Sequence, residues 1–272
     1  MRTVDPQLIH DTIRDYRRCG HSVAVPPRRV WESAEPPREP SAEAGGVEDA
    51  AVNRELAWDL CYLHFLTSPL DASSRELDRM HLGMFLASWG MYRGSGFLGQ
   101  RTNLLHYDAA IGVIAQYSGE LTESGERGVH RVGGLHAFDV PQYPRTARET
   151  DACALFDEAW VKLERALLPE GGTSLTLVTK VMLGVWGCIP AFDSYFQEAR
   201  KALQEPGDPG FSRANATALA ALRGFYESHR GPFDGIRHEV GVIDPRTARR
   251  TAHPLPLGKV LDMFLWQYGA AQ

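Results

Sequence analysis

Lysine is the scarce cation of this chain. Only Lys162, Lys180, Lys201 and Lys259 occur, against twenty-five arginines in 272 residues. Arginine is therefore the ordinary cation, and a lysine kept in an apolar segment points to a property arginine lacks: an amine can lose its proton and a guanidinium cannot. Cysteine is equally rare. Cys19, Cys61, Cys153 and Cys188 are widely spaced with no CxxC pair, which argues against a disulfide framework and a zinc site and fits a reducing, cytoplasmic setting. No apolar run approaches the ~18 residues of a membrane span, and the first eighteen residues lack a hydrophobic signal core, so neither export nor insertion is expected. An excess of positive charge is also missing. With a net charge of −5, the chain has no general attraction to nucleic acid, and a nucleic-acid partner would need a local basic patch. Alternating strand patterns, repeats and hairpin signals are too few for a sheet. The expected fold class is all-α: a single globular helical domain built around a buried helix–turn–helix, with long loops and a Pro-rich N-terminal arm.

The chain divides into an N-terminal docking helix at 1–19, a linker rich in Pro, Ala and Glu at 20–50, and a helical catalytic domain at 51–272. Apolar spacing predicts helices over 6–19, 51–66, 74–98, 108–117, 151–168, 212–228 and 257–268. Residues 120–149 read as a thirty-residue loop with a basic run, Arg127, His130 and Arg131. Loops of that length are functional or disordered. Residues 230–256 also read as loop, and 223–259 carries seven Lys and Arg against four Asp and Glu.

The organising stretch is 171–196, GGTSLTLVTKVMLGVWGCIPAFDSYF, whose one cation between Glu170 and Asp193 is Lys180. Leu175, Leu177, Val178, Val181, Met182, Leu183, Val185 and Trp186 cover almost every face, the pattern of a helix buried on all sides. Pro190 is read as its stop, and Asp193-Ser194 as the cap of the next helix, with Ser194 and Gln197 at capping-box spacing. Lys180 lies about 12 Å, or two turns, before the end of its helix. A turn over 189–192 can fold Asp193 back toward it. Two readings stand: a buried ion pair with a helix cap, or an amine and a carboxylate at a reactive site. Further upstream, Trp89 and Arg93 are four apart on one predicted helix face, with Tyr92 and Ser95 beside them. They are either close helix packing or the aromatic and arginine wall of a polar pocket.

Segment 168–196 resembles a compact, divergent version of the helix-hairpin-helix DNA glycosylases. The matching features are a helix end, a glycine-bearing turn, a helix with a lysine, an apolar turn with proline, and an aspartate at a helix start. The hairpin departs from the family pattern at Glu170, where a glycine is usual, and Lys180 follows Gly172 by eight residues rather than almost at once. The resemblance implies that the backbone of Gly171, Gly172 and Thr173 holds a DNA phosphate. Asp193 becomes the general catalyst and Lys180 an optional nucleophile. Trp89, Tyr92, Arg93 and Ser95, or alternatively Trp186, receive a flipped base, and Arg127, Arg131, Arg246, Arg249 and Arg250 contact phosphates. DNA is the implied partner, in repair or phage defence, with a damaged or modified base as substrate. A second stretch, Arg223 followed after five residues by His229, is similar to the active-site motif of HEPN ribonucleases. A non-enzymatic helical interaction module is the third reading. His10-Asp11 lacks partner histidines, and no strand precedes Gly94 and Gly96, so neither a metal nor a nucleotide cofactor is expected.

Overall fold

A computed structural model describes residues 1–18, 56–92, 97–123, 129–205, 208 and 213–272. The arm read at 20–50 lies outside these residues, as do Arg93, Ser95 and Arg127. The described chain is mostly helical: α1 (Pro6–Arg18), α2 (Leu56–Thr67), α3 (Arg75–Ser88), α4 (Phe97–Arg101), α5 (Asp108–Tyr117), α6 (Ala154–Leu167), α7 (Leu175–Trp186), α8 (Ser194–Leu203), α9 (Ala216–Ser228), α10 (Arg230–Val240) and α11 (Leu257–Ala270). Two small antiparallel pairs join them, β1 (Glu120–Glu123) with β2 (Val129–Val132), and β3 (Ile243–Asp244) with β4 (Arg249–Arg250). No helix among the described residues is long and apolar enough to cross a membrane.

The centre is α7. Every residue from Leu177 to Trp186 is buried, which follows from apolar side chains on all faces, and α2, α3 and α6 pack around it. Ser174 caps its start, accepting a hydrogen bond from the Leu177 amide at 3.3 Å. The helix ends earlier than the proline signal suggests. Gly187 adopts φ 66°, and its N–H closes on Leu183 O, a left-handed cap that glycine adopts without strain. Pro190 lies within the following turn. Of the two residues read as the next cap, Asp193 and Ser194, it is Asp193 that accepts from the Phe196 amide, at 3.1 Å.

Three other readings change. The helix expected over 74–98 stops at Ser88, because Gly90 (φ 71°) closes it with its N–H on Ala87 O and the Met91 N–H on Leu86 O, the two bonds of a Schellman motif. Trp89 therefore sits at the end of α3, and the helical register assumed to align it with Arg93 is broken. The loop read over 120–149 contains the β1–β2 hairpin, whose four-residue strands are too short for alternation to register. Residues 230–240 form α10. Its glycines and Pro232 hide a helix that buries Phe233 and Ile236, and proline is tolerated in a first turn, where its missing N–H has no intrahelical partner.

Helix α11 packs along α8 and α1. It has no cap of its own, and the half-buried Asp139 accepts its first amides, Leu257 N and Gly258 N, each at 2.8 Å. Burial raises the Asp139 pKa, and these amide bonds oppose the rise.

Candidate active site

The turn from Gly187 to Phe192 reverses the chain and brings Asp193 back over α7. Lys180 Nζ then lies 3.2 Å from Asp193 Oδ2, both side chains largely buried but open to one cavity. The carboxylate is held from two sides, since Oδ1 caps α8 while Oδ2 takes the ammonium. The two groups thirteen residues apart in sequence thus meet, as an ion pair and helix cap exposed to a pocket.

That cavity has a volume of about 450 Å³. Its walls come from the end of α3 and the turn after it (Ser88, Trp89, Met91), the start of α7 (Thr176), the start of α8 (Tyr195) and α11 (Trp266). Trp266 stands edge-on to Trp89, with centroids 6.0 Å apart, and to Tyr195, at 5.0 Å. Lys180 Nζ lies 5.1 Å from the Trp89 ring centroid, a cation–π distance. The site therefore presents aromatic faces, hydroxyls, one amine and one carboxylate, which suits a flat, partly polar guest.

A second lysine–aspartate pair lies behind the first. Lys259 Nζ donates to Asp262 Oδ2 at 2.9 Å and to Tyr16 OH at 3.0 Å, and it lies 5.6 Å from the Trp89 ring centroid. Burial lowers the Lys259 pKa, opposed chiefly by Asp262. A small space is lined by both pairs together with Trp89 and Trp266. Two of the four lysines therefore converge here, while Lys162 and Lys201 form surface pairs with Glu158 and Glu198. Lysine scarcity was the available signal for Lys259. Tyr195 and Trp266 carried no signal of their own, because their membership depends on how α8 and α11 pack.

The other expected site residues are dispersed. Trp186 is a core residue: its Nε1 donates to Ser118 Oγ at 2.9 Å, and six residues of helix turn it about 240° from Lys180. It is not a pocket wall. Tyr92 leaves the pocket too, its hydroxyl bonded to that of Tyr107. Arg131 is no surface cation. Its guanidinium is buried and donates to the carbonyls of Phe65 (3.1 Å), Gly119 (2.7 Å) and Ser68. Gly171, Gly172 and Thr173 are exposed just ahead of α7, and one turn later Thr176 reaches the cavity. Arg246, Arg249 and Arg250 are exposed on and beside the β3–β4 pair, with Arg246 bound to Asp244 at 3.0 Å.

Arg223 and His229 are both bonded within the chain. Arg223 pairs with Glu227 and donates to Tyr143 O. His229 is buried, with Nδ1 donating to Phe225 O at 2.8 Å and Nε2 accepting from the Val4 amide at 2.9 Å. Both ring nitrogens are thus committed within the chain.

Comparison with models of protein families, with curated proteins and with solved structures finds no match to this chain.

Proposed function

We propose that this chain is a DNA N-glycosylase that removes a damaged or modified base, in repair or in phage defence. The observation that carries the reading is the Lys180–Asp193 pair at 3.2 Å, opening on a cavity walled by Trp89, Tyr195 and Trp266. A base must leave the stack to be attacked, and aromatic walls replace the stacking it gives up. As the C1′–N bond breaks, its electron pair leaves with the base, which takes up a proton, and positive charge grows on the sugar. The Asp193 carboxylate stabilises that charge in a partly dry site. A water then bonds to C1′ and gives its proton to Asp193, completing hydrolysis. In the lyase branch, Lys180 passes a proton to Asp193 and its amine bonds to C1′ instead of water; the nitrogen loses a second proton, the C1′–O4′ bond breaks with O4′ taking up a proton, and the resulting Schiff base leads to strand cleavage.

The test is base release from a panel of genomic DNAs, ordinary and heavily modified, scored as alkali-labile sites. Release by the wild type would support the reading, and silence over a panel containing every class of modified base would remove it.

Borohydride separates the two branches. If the amine attacks, reduction traps a covalent DNA adduct in the wild type and none in Lys180→Met. The substitution keeps the length of an apolar stem, and Asp193 retains its cap on the α8 amide, so the melting temperature should change by only a few degrees. Absence of any wild-type adduct would leave hydrolysis alone.

The exposed Arg249 and Arg250 supply the phosphate contacts in this reading. Replacing both with alanine should flatten the plot of log affinity against log salt by roughly 1 to 2, close to one for each phosphate no longer neutralised. An unchanged slope would place the DNA on another face.

A further inference from the structure

The distance between Lys180 and Asp193 is set by how the turn over 187–192 is held. Two threonines of α7 grip one end: Thr176 Oγ1 donates to Phe192 O at 3.1 Å, and Thr179 Oγ1 accepts from Phe192 N at 3.0 Å. Two further restraints come from outside α7: the Tyr143 hydroxyl donates to Cys188 O at 2.6 Å, and Asp262 Oδ1 of α11 accepts from the Ala191 amide at 3.0 Å. Ala191 belongs to no helix or strand, so this carboxylate supplies the partner that a buried N–H requires.

The surroundings favour the same role. Gly258, Asp262, Trp266 and Gly269 recur at four, four and three residues, one face of α11. A Cβ on Gly258 would strike Gly187 O and Ile189 N, and one on Gly269 would strike Tyr195 O. The face therefore lies directly on the backbone of the turn and of the α8 start, and it also supplies the Trp266 wall. Lys259 and Asp262 form a buried pair, with a second buried pair, Arg17–Asp59 at 2.7 Å, among the charges that act on Lys259. Well-packed apolar residues often hold a helix as well as a buried ion pair does. What they cannot supply is an acceptor for Ala191.

We infer that Asp262, held in place by Lys259, is the positioning residue of the site, fixing the 187–192 turn through the Ala191 amide and so placing Asp193 against Lys180. This rests on the glycosylase reading for its kinetic consequence alone; the positioning itself is measurable without DNA.

Two measurements probe the positioning directly. In the unaltered protein the Ala191 amide should be among the slowly exchanging hydrogens of the turn, and exchange at the rate of an exposed amide overturns the assignment. In Asp262→Leu, which keeps the bulk and removes the acceptor, reductive methylation of Lys180 should rise severalfold, read by mass spectrometry against Lys162 and Lys201 as internal references. Labelling equal to wild type in the folded variant overturns the assignment.

The double variant Lys259→Met, Asp262→Asn keeps an acceptor for Ala191 and removes both charges. It should return Lys180 labelling to the wild-type level. On a DNA substrate, Asp262→Leu should lower kcat by about a hundredfold with KM nearly unchanged, the cost of a misplaced group, and the double variant should recover most of it. Lost turnover in the double variant with wild-type labelling overturns the assignment, because the pair would then act by its charge. The expected exchange and labelling with no base release by any form of the protein upholds the positioning and counts against the glycosylase reading instead.

Discussion

Asp193→Asn should lower base release by roughly a thousandfold, within the range attributed to a positioned base or a charge-stabilising group, while leaving the fold and DNA affinity nearly intact. The asymmetry follows from the separate duties of the two carboxylate oxygens. Oδ1 caps α8 through the Phe196 amide, and an asparagine carbonyl does the same with little loss, since Asn and Asp are comparable caps. Oδ2 faces Lys180. Replacing it with an amide NH₂ turns an acceptor into a donor pointed at an ammonium, and it removes the negative charge that the developing cation on the sugar needs. The pair opens on a cavity, so water can take over part of the Lys180 solvation, and the stability cost stays below that of a fully enclosed pair. Initial rates of alkali-labile site formation, thermal melts and fluorescence-anisotropy titration with DNA check the three parts. Base release at the wild-type rate by a well-folded Asp193→Asn protein ends the assignment of Asp193 and the mechanism built on it.

Arg131→Met should lose about 3 kcal/mol of stability, equivalent to roughly 6–12 °C in melting temperature. The guanidinium gathers three carbonyls: Phe65 in the last turn of α2, Ser68 just past it, and Gly119 ahead of β1. A cation at the C-terminal end of a helix also meets its negative pole. Methionine retains an apolar stem and leaves all three acceptors without that donor. A calorimetric or circular-dichroism melt measures the loss. The salt dependence of DNA binding should be unchanged, which distinguishes an internal tie from a phosphate contact. A wild-type melting temperature together with a flattened salt slope would restore Arg131 to the surface role its sequence suggests.

Arg131 also illustrates what sequence can and cannot carry. A basic residue among glycines looks solvated, because neighbouring residues say nothing about carbonyls 12, 63 and 66 positions away that will need a donor. The meeting of Lys180 and Asp193 was more legible. It depends on local facts, namely an apolar helix with one cation, a short turn and a capping residue at a spacing that allows return. The central position of α7 was legible for the same reason, since a helix apolar on every face has no side left for solvent. Helix ends were less so: Gly187 and Gly90 terminate α7 and α3 by left-handed caps, while the more obvious Pro190 and the longer apolar pattern after Ser88 drew the boundaries too far. Helix α10 was hidden because Phe233 and Ile236 stabilise it by burial in the core, a tertiary effect that outweighs the poor propensity of its glycines and proline. Tyr195 and Trp266 were beyond reach on the same ground, as walls exist only once α8 and α11 lie side by side.

The arrangement of indoles gives the molecule an optical property. Of its six tryptophans, Trp58 and Trp186 are enclosed, their N–H groups directed to Leu183 O and Ser118 Oγ. Trp89 and Trp266 stand at the cavity wall, edge to face, with the Lys180 ammonium over the Trp89 ring. A flat guest that enters the cavity beside them alters the polarity and ring contacts of this pair and leaves the enclosed pair as they were. Intrinsic emission is thereby a built-in reporter of occupancy, and a ligand screen needs no label attached to either partner.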